Sequence, residues 1–345
     1  MNAMDFSSDN ATAADPRILD ALTEANRGAA PSYDEDAISQ RLAGRFREIF
    51  ECDLEVLPVI SGTAANALSL AAMTPPYGAV LCHRESHIEA DECGAPEFFT
   101  GGAKLTLLDG AHGKIGAATL SQALEKAHFG FVHAAQPRIL SLTQSTEAGT
   151  VYTADELREL TTLAGKFDLK VHMDGARFAN ALAGRRATPA ELSWKAGVDI
   201  LCFGATKNGA LAAEAIVLFR PELASHLRYL RKRAGHLIAK TRFLSAQLEA
   251  YLEDDLWLDN ARHANAMANR LAEGLVAIDG VSLIHPVEAN EIFVTMPEVA
   301  ADRLDAAGAR FYRNWGAAPA AYHRFVAAFD TRQADVDRVI AIVRG

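Results

Sequence analysis

Three short stretches of the sequence carry residue types that could do chemistry together. In "VHMDGARFAN" (171–180) an acid, Asp174, closes an otherwise apolar run, with Arg177 three residues on. Asp-Gly is common turn chemistry, so a strand-end turn is one reading; the other is that Asp174 answers something cationic and buried. In "SGTAANALSLAAM" (61–73), Ser61, Gly62 and Thr63 precede an Ala- and Leu-rich helix. Backbone N–H groups and the dipole at such a start favour a bound anion such as phosphate, although a capped helix with a glycine turn explains the same residues without a ligand. In "ILCFGATKNGA" (200–210), Lys207 follows an apolar run. It is either a solvent-facing loop lysine or an amine set in a partly desolvated cleft where it can act as a nucleophile.

Taken together, an anion cup, an acid at a strand end and a lysine at a later strand end are what pyridoxal 5'-phosphate requires. The lysine holds the aldehyde, the cup takes the phosphate, and the acid pairs with the protonated pyridine nitrogen. Arg177 could then take a substrate carboxylate or the ring's phenolic oxygen. A fourth stretch, "CHRESHIEADECGAPEFF" (82–99), spaces His83, His87 and Asp91 four apart. Arg84 stands where H-E-x-x-H needs its acid, so no metal is expected; the alternative is an imidazole lying as a plate on the cofactor ring. Neither G-x-x-x-x-G-K-[ST] nor G-x-G-x-x-G occurs at the cup, which argues against nucleoside triphosphates and dinucleotides.

Elements that could position these residues are visible in the pattern. Apolar runs at 55–60, 79–83, 104–109, 138–144, 170–174, 199–205 and 215–219 alternate with helix-length stretches. Most are continuous rather than alternating, as in strands of a mainly parallel sheet buried on both faces. Thr153 reads as the cap of a helix over 154–166. The expected fold is α/β: a large domain with a seven-stranded, mainly parallel sheet covered by helices, plus a smaller C-terminal α+β domain. The large domain is placed at 1–240, with an N-terminal arm over about 1–30, and the small one at 241–345. A long helical region from 222, interrupted near Gly235, and a helix over about 260–276 lead into the strands "VSLIHP", "EIFVTM" and "HRFVAAF". In such sheets ligands gather beyond the carboxyl ends of the strands, where Asp174 and Lys207 fall.

The composition agrees with an enzyme. Half of the 345 residues are hydrophobic, and 44 acids against 34 bases give a net charge of -10 with no basic run, against nucleic acid or anionic membrane as a partner. Cys52, Cys82, Cys93 and Cys202 form no C-x-x-C pair and read as reduced thiols. No secretory leader or membrane-length apolar run is read, so a cytoplasmic location is expected.

"FSSDN", "SGTAAN", "SHIEADECGA", "HMDGARFANAL" and "CFGATKNG" occur in order, and together they resemble the L-threonine aldolases of the aspartate-aminotransferase fold, in the low-specificity or L-allo-threonine branch. The resemblance runs over about residues 5–340. It implies a fold-type I pyridoxal-phosphate lyase that cleaves a β-hydroxy-α-amino acid to glycine and an aldehyde. It further implies Lys207 as the lysine holding the cofactor, Asp174 as the pyridine-nitrogen partner and His87 as the ring-stacking histidine, also a candidate for handling the β-hydroxyl. Gly62 and Thr63 match phosphate binders, and Ser8, Arg177 and Arg324 the carboxylate grip. Tyr33 matches a tyrosine near the active site, and a homodimer or homotetramer with shared sites is implied. The chain departs from the pattern at "SDN" for "SDT", at Thr206 for serine, and at "GHLIAKTRF" (235–243), where Lys240 or Arg242 stands for a phosphate-contacting arginine. A phenylserine-type aldolase, a β-eliminating lyase and an aminotransferase are the alternatives on the same residues. A regulatory protein without turnover is disfavoured, because the few residues before "FSSDN" hold no DNA-binding module.

Overall fold

The computed structural model describes residues 4–185, 187–315 and 322–345. Its large sheet contains β1 (Glu55–Val59), β2 (Gly78–His83), β3 (Lys104–Leu108), β4 (Gln136–Thr143), β5 (Lys170–Gly175), β6 (Ile200–Gly204) and β7 (Glu214–Leu218). Their order across the sheet is β1-β7-β6-β5-β4-β2-β3. β2, β6 and β7 are buried throughout, which is why their sequences are apolar without alternation. The seven strands fall on the seven apolar runs to within a few residues. The sheet is parallel except at β7, which runs antiparallel to both β1 and β6. Residues 205–213 are too few for a crossover helix, so β7 must return beside β6 in the opposite direction.

The helices packed on this sheet include α1 (Pro16–Ala25), α2 (Ala37–Phe50), α3 (Gly62–Met73), α4 (Ala154–Gly165), α5 (Arg242–Leu252) and α6 (Leu256–Val276). Thr153 caps α4 through a reciprocal pair of hydrogen bonds with Glu156. The large core gathers Phe46 and Phe50 of α2, Phe178, Phe203 of β6, Tyr251 of α5 and Trp257 of α6. Phe203 lies edge-on to Phe46 at 5.2 Å between ring centres and tilted against Trp257 at 5.4 Å. Loss of such a ring typically costs about 3–5 kcal/mol, and this one also anchors the strand that leads to Lys207.

The second sheet, ordered β10-β11-β9-β8, contains β8 (Ser282–Leu283), β9 (Glu291–Thr295), β10 (Tyr312–Trp315) and β11 (Tyr322–Val326). The sequence pattern had not marked β10, whose "YRNW" lacks an apolar run and forms the edge of the sheet. The changeover between the two cores falls inside α6 rather than at residue 240. Leu244, Leu248, Trp257 and Ala261 pack in the large core, whereas Ala268, Leu271 and Leu275 pack in the small one. The N-terminal arm is divided too: Met4 and Phe6 lie in the small core, and Ile18 of α1 in the large one. No helix among the described residues is long and apolar enough to cross a membrane.

Candidate active site

The carboxyl ends of β5 and β6 and the start of α3 meet around a cavity of about 260 Å³ whose wall includes Gly62, Thr63, Asn66, His87, Asp174, Arg177 and Lys207. At α3, the Ser61 hydroxyl accepts from the Ala64 N–H at 3.3 Å. The N–H groups of Gly62 and Thr63 point beyond the first turn and have no acceptor among the described residues. A Cβ added at Gly62 would meet nothing within 4 Å, so the space beside this residue is open. This is an anion cradle with its own donors unspent.

Asp174 is buried, and its two oxygens are held separately. Oδ1 accepts from the Ala176 N–H at 2.9 Å and Oδ2 from the Asn66 amide at 2.8 Å. The same amide donates to Glu92 Oε1 at 2.8 Å, and Glu92 Oε1 is 2.8 Å from His87 Nδ1. A chain of polar contacts therefore joins Asp174, Asn66, Glu92 and His87. The Glu92 hydrogen bond raises the His87 pKa against the opposing effect of burial, favouring the imidazolium. Burial in turn raises the pKa of Glu92. One ligand atom each from His87, Glu92 and Asp174 lies within 4.8 Å of the others, but Asn66 donors already span the two acids. Behind Asp174 on the same strand face, buried His172 contacts the Ser141 hydroxyl at 2.9 Å and the Cys202 thiol at 3.2 Å. Burial pushes its pKa down to about 4, so a neutral ring supports the strand from beneath.

Lys207 sits in a short turn after β6 that the core holds firmly. The next residue, Asn208, donates to the Tyr251 hydroxyl and the Trp257 carbonyl, both at 2.7 Å. Gly209 follows with φ 118°, a conformation that favours glycine. Glycine is also needed at Gly204, where a Cβ would stand 2.3 Å from the Ala176 carbonyl oxygen, because β6 and the turn after Asp174 approach so closely.

Beside this cavity opens a vestibule of about 480 Å³ that shares His87, Arg177 and Lys207 with it and adds Ser8, Glu291 and Arg324. Arg177 donates to both oxygens of buried Asp9, at 2.7 and 3.0 Å, and lies 3.4 Å from Glu291 Oε2. Arg324 donates to Glu291 Oε1 at 2.7 Å. Burial works to raise the Asp9 pKa, but the Arg177 guanidinium, the Lys207 ammonium and the Asn290 amide together hold this carboxyl below the usual range. Two buried acids and two largely buried arginines thus form one set drawn from the N-terminal arm, the turn after β5 and the small sheet.

Residues 5–298 match the beta-eliminating lyase family. The low specificity L-threonine aldolase of Pseudomonas aeruginosa is 45% identical over 98% of this chain and 96% of its own. The chain belongs to the L-threonine aldolases of the beta-eliminating lyase family. Among solved structures, a threonine aldolase of Leishmania major superposes with a TM-score of 0.92 at 27% identity, covering 99% of this chain and 98% of its own. An N-succinyldiaminopimelate aminotransferase from Mycobacterium tuberculosis, at 19% identity and a TM-score of 0.73 over 99% of this chain and 93% of its own, shares the fold.

For this threonine aldolase family member, the structure brings Gly62, Thr63, His87, Asp174, Arg177 and Lys207 to one cavity and Ser8 and Arg324 to its vestibule. Three other residues named from the sequence lie elsewhere. Tyr33 is 48% exposed, with the Lys232 ammonium over its ring at 4.6 Å, and lines neither cavity. Lys240 is exposed, and Arg242 stacks on Phe243 and reaches the Gly28 carbonyl. The even spacing of His83, His87 and Asp91 dissolves. His83 ends β2 and contacts the Gly110 carbonyl oxygen at 3.1 Å, while Asp91 is exposed beyond the single turn of His87–Ala90. Asn66, Glu92, Asp9 and Glu291 were missed. Asn66 had a usable signal, because it stands four residues after Gly62 and so shares its helix face.

Proposed function

We propose that this protein cleaves L-threonine, L-allo-threonine or a related β-hydroxy-α-amino acid to glycine and an aldehyde, with pyridoxal 5'-phosphate as cofactor, in the cytoplasm. The observation that carries this reading is that Lys207, Asp174 and the unspent donors of α3 line one cavity. Their chemistry fits the cofactor: an amine for its aldehyde, a carboxylate for its ring nitrogen, and two backbone N–H groups with the Thr63 hydroxyl for its phosphate. When bound, the group supplies an electron sink for the charge left at Cα.

The remaining work falls to side chains. Asn66 and the Ala176 N–H fix the direction of the Asp174 carboxylate. Glu92 fixes the His87 ring, which we place as the plate against the cofactor. Arg177 and Arg324 are oriented by Asp9 and Glu291 and offer further N–H groups, with the Ser8 hydroxyl, to the substrate carboxylate. Tyr33, Lys240 and Arg242, lying off the cavity of their own chain, fit a homodimer or homotetramer in which they serve a neighbouring subunit's site.

The test is product analysis with a spectrum. The purified protein should show a visible cofactor band that shifts when glycine is added, and L-threonine should yield glycine and acetaldehyde in equal amounts. Lys207→Ala should lose the band and all measurable cleavage. A keto acid as the product would move the protein to elimination or transamination. Absence of any band after the cofactor is added back would sink the reading.

A further inference from the structure

Glu147 has no part in the arrangement described so far, yet it stands at its centre. It follows β4 in the wall shared by the cavity and the vestibule. Oε1 accepts from the His87 backbone N–H at 2.7 Å and from the Thr143 hydroxyl at 3.0 Å. These two bonds fix the carboxyl group. Oε2 is shielded from solvent and has no hydrogen-bond partner among the described residues. A buried acceptor left unpaired carries a desolvation cost, which a ligand hydroxyl would relieve. Burial and the neighbouring Asp174 carboxylate push the Glu147 pKa up to about 7. The ionisable groups that share this wall with it are Asp174, Arg177, His87, Lys207 and Glu214.

His87 is the residue to which the sequence pointed for handling the β-hydroxyl. Its Nδ1 is occupied by Glu92, so that nitrogen is not open to a substrate hydroxyl. Resting on the aldolase reading above, we propose that Glu147 is the catalytic acid–base for the substrate's β-hydroxyl, with Oε2 accepting its proton as the Cα–Cβ bond breaks. The O–H bond breaks as the Oε2–H bond forms, and the oxygen's electron pair becomes the second C–O bond of the aldehyde. The Cα–Cβ pair stays with Cα. The Lys207 ammonium delivers the proton that Cα gains and regains one from solvent, while Glu147 returns the hydroxyl proton to solvent. The sum is one β-hydroxy amino acid giving one glycine and one aldehyde, with no co-reactant.

The test compares Glu147→Gln with wild type as the holoenzyme in two reactions: cleavage of L-threonine, and exchange of the glycine Cα hydrogen with deuterated solvent followed by NMR. Glycine has no β-hydroxyl, so its exchange needs Lys207 and not Oε2. General acid–base catalysis contributes about 10²–10⁴-fold; cleavage should fall by that much while exchange stays within about threefold and the glycine-induced shift of the visible band persists. Cleavage within about tenfold of wild type would overturn the assignment, since that is less than such a group supplies. So would exchange and cleavage lost together, which would make Glu147 a structural support. A wild-type enzyme that exchanges glycine but cleaves no β-hydroxy amino acid would instead overturn the aldolase reading, and it does so without reference to the variant.

Discussion

The cavity around Asp174 and the vestibule around Arg177 are adjacent, but they are built differently. In the first, most groups come from a strand end or helix start of the large domain, and uncharged donors hold Asp174 and the turn that carries Lys207: Asn66 and the Ala176 N–H on Asp174, and Asn208 next to Lys207. In the second, charge holds charge. Arg177 and Arg324 are set against Asp9 and Glu291, whose carboxylates come from the N-terminal arm and from β9. Neutral donors orient Asp174 without setting a counter-charge on it, which leaves that place to a bound group. Buried ion pairs hold separate segments together, and they become costly when one member is removed. The cavity is arranged for electrostatic work on a bound group, and the vestibule also ties the small domain and the arm to the large domain.

Three substitutions would break or sharpen that comparison. The largest effect is expected at Asp174→Ala, with kcat for cleavage falling on the order of 10²–10³-fold, as when a preorganised electrostatic group is lost, while the melting temperature changes little. Near-normal turnover would return Asp174 to a strand-end turn. For Glu291→Ala the balance should invert. Two largely buried guanidiniums lose their shared carboxylate, and stability should drop by roughly 3 kcal/mol in a denaturant titration, with a smaller loss in kcat than at Asp174. A stability change within experimental error would make the vestibule a binding site without a structural task.

The smallest effect concerns Glu214, which lines the cavity beside Lys207 and Asp174 and accepts from the Ala205 N–H at 2.9 Å. Burial pushes its pKa up to about 7 from 4.5, so the folded chain keeps this proton where the unfolded chain has released it. The resulting stability is fully present below about pH 4.5 and is lost as pH rises through 7, a contribution on the order of 2–3 kcal/mol. The cofactor-free protein should therefore melt lower at pH 8 than at pH 5.5, and Glu214→Gln should flatten that part of the slope. An unchanged slope would remove Glu214 as a source of it.

Most of the cavity was legible because its residues sit at points a linear pattern marks: the ends of apolar runs and the start of a helix. Asp174, Lys207, Gly62 and Thr63 are such points. Glu92 and Glu147 are not. Each is one acid among many in a loop, and its importance comes from what folds against it. The even spacing of His83, His87 and Asp91 has no counterpart in space, because β2 ends at His83 and a single turn follows.

The sequence by itself determined the order of the elements, the seven strands of the large sheet and the candidates for cofactor chemistry. Hydrophobic periodicity and cap residues act over a few positions and are written locally. Only the tertiary structure decided that Asn66 couples Asp174 to Glu92 across 108 and 26 residues of sequence. The same holds for Asp9, which meets Arg177 across 168 residues, and for Tyr33, which lies outside the cavity of its own chain. Long-range polar contacts depend on where the packed core brings distant segments, and no short window of sequence carries that information.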